Sequence, residues 1–318
     1  MNIVVIFTGG TIGSSLKDDS LSLDSSSHYK LIDDYQKQHD EIKFKALNPL
    51  NILSENIQPS HWTTMIEAVE DVCLNDFDGI ILTHGTDTLS FTANALALYF
   101  TTISLPLVLV SSHLPLTNPQ NNGHSNFSAA IEFIKQKISG IYVAYQNPSE
   151  TSTSIFHAHH ITQSPQLSSR FDTIKELAAI IDDNECTILS ANPIPQTSTK
   201  NMHPLFSEEI LYIKPYPGLN YQSFNLQEHH IIMHDLYHSG TCDITKLKPF
   251  IRQCKRENIL LFMAPLYQVE HYYETTQELI DMGVHFLYDI SIEHALTKLM
   301  FGYRNFSSDE KLLDYMCG

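Results

Sequence analysis

The sequence predicts an α/β fold: a larger N-terminal domain with a mostly parallel sheet flanked by helices, plus a smaller C-terminal α/β domain. Short runs rich in Val, Ile and Leu alternate with helical patterns through the first half, the signature of buried parallel strands joined by crossover helices. At 318 residues the chain also exceeds what one core usually holds. Two domains are therefore expected, at 1–189 and 210–318, with a linker over 190–209.

Each element follows from local pattern. "NIVVIF" (2–7), "GIILT" (79–83), "PLVLVSS" (106–112) and "GIYVAY" (140–145) are apolar on both faces and read as buried strands. Between them, "PSHWTTMIEAVEDV" has Pro59 near a helix start and sets Ile66, Val69 and Cys73 along one face. "TLSFTANALALYF" and "SNFSAAIEFIKQK" are the next two helices. From about 146 to 175 the composition shifts to Ser, Thr, His and Gln, and "SANPIPQTSTKNMHP" (190–204) reads as the linker. The pattern resumes with "ILYIKPYPG", "HHIIMHDLY", a helix at "ITKLKPFIRQCKRE" and a strand at "NILLFMAP". "IEHALTKLMFGY" and "SSDEKLLDYM" close the chain as helices, the second with Ser307 and Glu310 spaced as a capping box.

Bulk composition narrows the function. A net charge of -17 excludes a sequence-independent grip on nucleic acid or an anionic membrane, since both rely on clustered Lys and Arg. A small-molecule or peptide substrate is expected instead. The 5 cysteines are scattered without a CxxC pair, which points to reduced thiols in a cytoplasmic protein. "NIVVIF" is too short for a signal-peptide core, and no run reaches the length of a membrane span. GxGxxG is absent and no GKS or GKT is present, so no cofactor is expected.

Ligands of such sheets bind beyond the carboxyl ends of strands. After the first strand stands "TGGTIG" (8–13), where paired glycines turn the backbone and Thr11 hangs a hydroxyl over the sheet. Taken alone, this loop is better explained by a structural turn. "ILTHGTDTL" (81–89) then places Thr83, His84, Thr86, Asp87 and Thr88 at the end of another buried strand. So dense a polar set is costly to leave unpaired and is either a capping cluster, with Asp87 capping the next helix, or a site.

Together "TGGTI" (8–12) and "THGTDTLSFTA" (83–93) resemble the paired signature of the bacterial-type L-asparaginases and related amidohydrolases, in the right order and at about the family's separation. Weaker similarity runs through "LSENIQP", "NGHSN", "YPGL" and "IEHALTKL", the last closest to the cytoplasmic type I branch. The resemblance implies that Thr11 is the nucleophile, attacking a side-chain amide to give an acyl-enzyme and ammonia. It implies that Thr86 and Asp87 belong to a Thr-Lys-Asp relay, that Asp87 also holds the substrate's α-amino group, and that backbone N–H groups near Thr11 and Thr86 form the oxyanion hole. Ser54 and Glu55 would grip the α-carboxylate and α-amino ends, with Gly10, Gly85 and Ser112 completing the substrate-binding set. Glu55 stands where many relatives have Gln, which is linked to weaker use of glutamine. A homodimer or homotetramer, with the site completed across the subunit interface, is implied as well.

The chain also departs from that pattern. The relay lysine, usually in a Thr-Lys or Val-Lys pair after "GIYVAY", has no match, because no lysine lies between Lys137 and Lys175. An ungapped count puts His157 of "SIFHAHHIT" at its place, where imidazole would do similar work from a lower starting pKa. The mobile-loop tyrosine is met by Leu21, with Tyr29 several residues later. Asn122-Gly123 replaces Asp-Gly, and Ser111-Ser112 replaces Gly-Ala or Gly-Ser.

His157, His159 and His160 have no Cys or carboxylate beside them, so a metal is not expected. His229, His230, His234 and His238 scatter over both faces of a strand and read as structural, "IDDNE" (181–185) as a solvated face or turn, and Glu293 as part of a helix start. Three functions remain: hydrolysis of L-asparagine, hydrolysis of another amide, and non-catalytic sensing of aspartate or asparagine. Both motif loops keep every hydroxyl, which favours the enzyme readings, because a sensor needs the amino-acid clamp but not Thr11.

Overall fold

The structure is a computed structural model that describes residues 1–10, 12, 14–17, 20–23, 25–190 and 202–317, with backbone alone at 14–17, 20–23 and 25–28. It divides into two compact units, Met1–Pro204 and Leu205–Gly318. Residues 191–201 of the expected linker lie outside the described residues.

In chain order the first unit contains β1 (Asn2–Phe7), β2 (Ser14–Lys17), β3 (Ser20–Leu23), α1 (Ser25–Gln36), β4 (Lys43–Leu47), α2 (Pro59–Glu70), β5 (Gly79–Thr83) and α3 (Leu89–Tyr99). It continues with β6 (Pro106–Val110), α4 (Gly123–Ile134), β7 (Gly140–Tyr145), β8 (Thr153–His157), β9 (Ala179–Asp182) and β10 (Glu185–Ile188). One eight-stranded sheet runs β10-β9-β8-β7-β6-β5-β1-β4, while β2 and β3 pair only with each other. The strands from β4 to β7 are parallel, and β8, β9 and β10 extend the sheet antiparallel.

Both faces are buried, as the unbroken apolar runs require. Ile3, Val5, Phe7, Ile81, Val108 and Val110 pack with Leu31 and Ile32 of α1 and with Phe127, Ile131 and Ile134 of α4. The alternate residues Val4, Ile6, Ile80 and Leu82 are also 0% exposed. Helices α2 and α3 bring Trp62, Met65, Ile66, Leu89 and Leu96 into the core.

Three local expectations are corrected. Helix α2 ends at Glu70, so Cys73 lies beyond it and is exposed. Thr88, not Asp87, is the N-cap of α3, and it makes no side-chain cap bond. At the last helix the Lys311 N–H meets Ser308 Oγ at 3.4 Å, so the cap is one residue later than Ser307. The polar stretch 146–175 contains β8, all of it buried. "IDDNE" is a hairpin turn: Asp183 and Asn184, with φ of 46° and 66°, reverse the chain between β9 and β10.

The second unit contains β11 (Leu211–Ile213), β12 (Ile231–His234), α5 (Ile244–Arg256), β13 (Leu260–Leu266), α6 (Glu274–Asp281), β14 (His285–Tyr288), α7 (Ile292–Asn305) and α8 (Asp309–Cys317). Its sheet runs β11-β12-β13-β14, all parallel. Asp243 caps α5 through the Thr245 and Lys246 N–H groups, and Ser291 caps α7 through His294. Among the described residues no helix is long and apolar enough to cross a membrane.

Candidate active site

Taken in chain order, the parallel strands of the first unit occupy the order 2-1-3-4-5, with the direction of winding reversing between β1 and β5. Loops leaving a sheet at such a switch point part and open a crevice. Both hydroxyl-rich motifs leave from these two strands. Thr8 Oγ1 donates to the Thr83 carbonyl at 2.7 Å and ties the strand ends together.

The first loop is built around positive-φ glycines. Gly9 (φ 105°) bridges to Ile52, and the Gly10 N–H donates to the Ile52 carbonyl at 3.0 Å. A Cβ on Gly9 would lie 2.4 Å from the Ile52 oxygen. Gly10 (φ 78°) touches the backbone of Gly85, so the two motif loops meet glycine to glycine. Thr11, the next residue, lies outside the described residues.

The second loop is clamped from two sides. On one side Ser54, buried in a short 3-10 turn at Ser54–Asn56, donates its hydroxyl to Asp87 Oδ2 at 3.1 Å and accepts the Asp87 N–H at 3.2 Å. Thr88 Oγ1 donates to the Ser54 carbonyl at 2.8 Å. Asp87 and Glu55 are exposed, and Thr86 is half-buried. On the other side Gln163 donates through Nε2 to the Asp87 carbonyl, while its Oε1 accepts from Ser90 Oγ at 2.8 Å. Just past the end of β6, the Ser112 hydroxyl donates to the Leu114 carbonyl at 2.6 Å. Buried Asn122 accepts the His113 N–H at 3.0 Å and donates to the Gln146 carbonyl at 2.8 Å.

His157 is not part of this cluster. Strand β8 runs antiparallel to β7, so His157 pairs with Tyr142 and Ser154 pairs with Tyr145 at the carboxyl end. His157 therefore sits away from the edge where the motif loops gather. Its ring packs 5.5 Å from Tyr142 and 5.7 Å from His160, and burial lowers its pKa. After a turn at 158–160 the chain returns, and Gln163 is the side chain it delivers to Asp87. Sequence reading missed this residue. The available signal was the Thr162-Gln163 pair, which fits a Thr-Lys pattern once a gap is allowed. Leu21 pairs with Leu16 across β2 and β3, and Tyr29 accepts a bond from Asn48 at 3.2 Å, its ring 6.2 Å from Phe7. Among the described residues no group of three or more His, Cys, Asp or Glu is placed to hold a metal.

Both hydroxyl-rich loops leave a doubly wound sheet at its switch point, with one carboxylate there held by a serine, and this defines an α/β protein whose candidate ligand site lies where such folds bind small molecules. The family described as "Asparaginase, N-terminal" matches residues 2–192. The L-asparaginase of Thermococcus kodakarensis is 30% identical over 228 residues, covering 69% of this chain and 65% of that protein. A subunit of the glutamyl-tRNA(Gln) amidotransferase of Methanococcus maripaludis is 29% identical over 237 residues, covering 69% of this chain and 54% of that one. The match thus spans less than two thirds of either relative. The solved thermostable L-asparaginase from Thermococcus kodakarensis superposes with a TM-score of 0.83 at 25% identity, over 99% of this chain and 97% of that one. The chain belongs to the asparaginase family.

Proposed function

We propose that this protein is an amidohydrolase that converts L-asparagine to L-aspartate and ammonia through Thr11. The observation that carries the reading is the clamp on Asp87: a carboxylate fixed by Ser54 on a loop whose glycine abuts Gly10, one residue before the nucleophile. Asp87 and Glu55 hold the substrate's ammonium, and on binding the Ser54 hydroxyl turns its one proton from Asp87 to the substrate's carboxylate. Thr11 Oγ attacks the side-chain amide carbon, and the oxyanion is met by N–H groups near Thr11 and Thr86. Collapse breaks the C–N bond, the nitrogen leaves as ammonia with the proton surrendered by Thr11, and water then hydrolyses the ester. The crevice calls on no metal or cofactor for these steps. With a gap allowed, Gln163 in place of His157 falls at the position where the resemblance implies a lysine. Its amide donates and accepts hydrogen bonds but takes up no proton near neutrality. The proton therefore moves from Thr11 through the Thr86 hydroxyl to Asp87, which returns it by the same path to the departing nitrogen. Assembly into a homodimer or homotetramer belongs to the same proposal.

That same glutamine favours a second reading, in which the clamp binds aspartate or asparagine and no turnover follows. Ammonia release from L-asparagine, L-glutamine and a panel of small amides across pH, beside Thr11→Ala, separates the two. Turnover lost in Thr11→Ala supports the hydrolase. Aspartate binding without turnover of any amide supports the sensor.

A further inference from the structure

One buried titratable group beside the crevice has no part in the chemistry above. His84 is 1% exposed, follows directly on β5, and donates its backbone N–H to the Val110 carbonyl at 2.8 Å. Its ring lies in a line of three side chains from three elements. His84 Nδ1 is 2.7 Å from the Gly85 carbonyl oxygen, His84 Nε2 is 2.9 Å from Thr92 Oγ1, and Trp62 Nε1 donates to Thr92 Oγ1 at 3.0 Å. Thr92 is fully buried and Trp62 is nearly so.

Hydrogen-bonding rules leave one proton arrangement for this line. A carbonyl oxygen only accepts, so the Nδ1 that faces Gly85 must carry the ring proton. Desolvation pushes the His84 pKa down to about 4, so the ring is neutral at ordinary pH and Nε2 is a bare lone pair. Thr92 must then donate its hydroxyl to Nε2 and use its oxygen to accept from Trp62, whose indole N–H can only donate. Every group has one role, and the line ends on the Gly85 carbonyl. The other side of that peptide bond is the Thr86 N–H, to which no acceptor is bonded among the described residues.

We propose that the buried line Trp62–Thr92–His84 is a positioning device for the Thr86 amide: by holding the Gly85 carbonyl through His84 Nδ1–H, it aims and polarises the Thr86 N–H that meets the substrate's developing oxyanion. The part played by that N–H rests on the reading in the preceding section. Hydrogen bonds in a chain polarise one another, so a donor placed on the carbonyl strengthens the N–H of the same amide. The gain falls on the transition state, where the charge develops, and not on ground-state binding. His84 is a positioning residue, since it reaches the reacting atoms only through the Gly85–Thr86 peptide.

Two measurements test this. In protein labelled with 15N-histidine and 15N-threonine, the His84 ring is expected to show a protonated Nδ1 and a bare Nε2 at neutral pH. The Thr86 amide proton is expected to move upfield in His84→Leu and to recover in His84→Asn, whose side-chain amide restores a donor near the Nδ1 position. In steady-state kinetics His84→Leu is expected to lower kcat about tenfold with KM little changed, with partial rescue in His84→Asn. Thr92→Val, which takes only the hydroxyl, provides a milder perturbation if His84→Leu does not fold, and should lower kcat several-fold. An Nε2–H tautomer, an unmoved Thr86 amide, or a fall confined to KM would overturn the proposal. Absence of turnover in the wild type would remove the hydrolase reading alone, because the ring tautomer and the amide shift still decide the role of His84.

Discussion

Gly10 and Gly85 approach so closely that a Cβ added to Gly10 would lie 2.4 Å from the Gly85 nitrogen. This contact joins the two motif loops through backbone alone, and Gly10 also needs its positive φ of 78°. Gly10→Ala is therefore expected to cost more than an ordinary overpacking change, about 3 kcal/mol or more. Gly85→Ala, whose Cβ would meet Ser54 Oγ at 2.4 Å, can relieve part of its clash by side-chain rotation and should cost about 1–3 kcal/mol. Urea unfolding of both variants checks the order, and both should also impair the site because the Ser54–Asp87 clamp must shift.

Ser54 holds Asp87 at two points, through the carboxylate and the backbone N–H. Ser54→Ala removes both and frees an exposed carboxylate to wander. A loss of about 1–2 kcal/mol in aspartate binding is expected, read by calorimetry, with KM for asparagine rising by about tenfold. Unchanged affinity in a folded Ser54→Ala protein contradicts the clamp.

Gln163 braces the same loop from its other side by joining Ser90 to the Asp87 carbonyl. Gln163→Ala should lower kcat/KM and loosen the 83–88 segment, measured as faster amide hydrogen exchange there. Gln163→Lys introduces a group that accepts a proton only when neutral. Its activity is expected to rise with pH through the amine's pKa, adding a limb that the wild-type pH profile lacks. An identical profile for the two proteins would mean that residue 163 does not reach the proton path.

Two buried histidines, His84 and His234, and the half-buried His160 make stability depend on pH. Desolvation leads the causes that lower His84, His160 and His234 from the ordinary 6.5 to about 4. Folded-state pKa values below the unfolded ones mean that the unfolded chain binds more protons between pH 4 and 6.5, so stability is complete above that window and is lost as pH falls through it. Each fully buried ring accounts for about 3 kcal/mol of that loss at most, and His160 contributes less because it is more exposed. The urea midpoint should fall steadily from about pH 7 to about pH 4.5, and the fall should be shallower in His84→Leu.

The residues show where sequence reasoning works. β1, β5, β6 and β7 were legible because strands buried on both faces leave continuous apolar runs. The motif loops were legible because glycines and hydroxyls at strand ends violate that pattern locally. β8 was missed since "TSIFH" begins with polar residues and sits in a Ser- and Thr-rich stretch, although tertiary packing buries all of it. Helix α6 and strand β14 were missed, too short and too polar at their ends to stand out. An ungapped count puts His157 at the relay position because it cannot see that β8 descends from the carboxyl edge before the chain returns. Gln163 meets partners 76 and 73 positions away, and no local periodicity encodes such a contact. The tautomer of His84 likewise depends on Thr92 and Trp62 arriving from two separate helices.

The central claim is that Thr11 carries the substrate's acyl group. Rapid mixing of enzyme with L-asparagine, acid quench within one turnover and mass analysis of the N-terminal peptide reads it most directly. The account predicts an aspartyl ester on the peptide holding Thr11, formed with stoichiometric ammonia and absent in Thr11→Ala. Ammonia release that persists in Thr11→Ala, with no ester on the wild-type peptide, would contradict it.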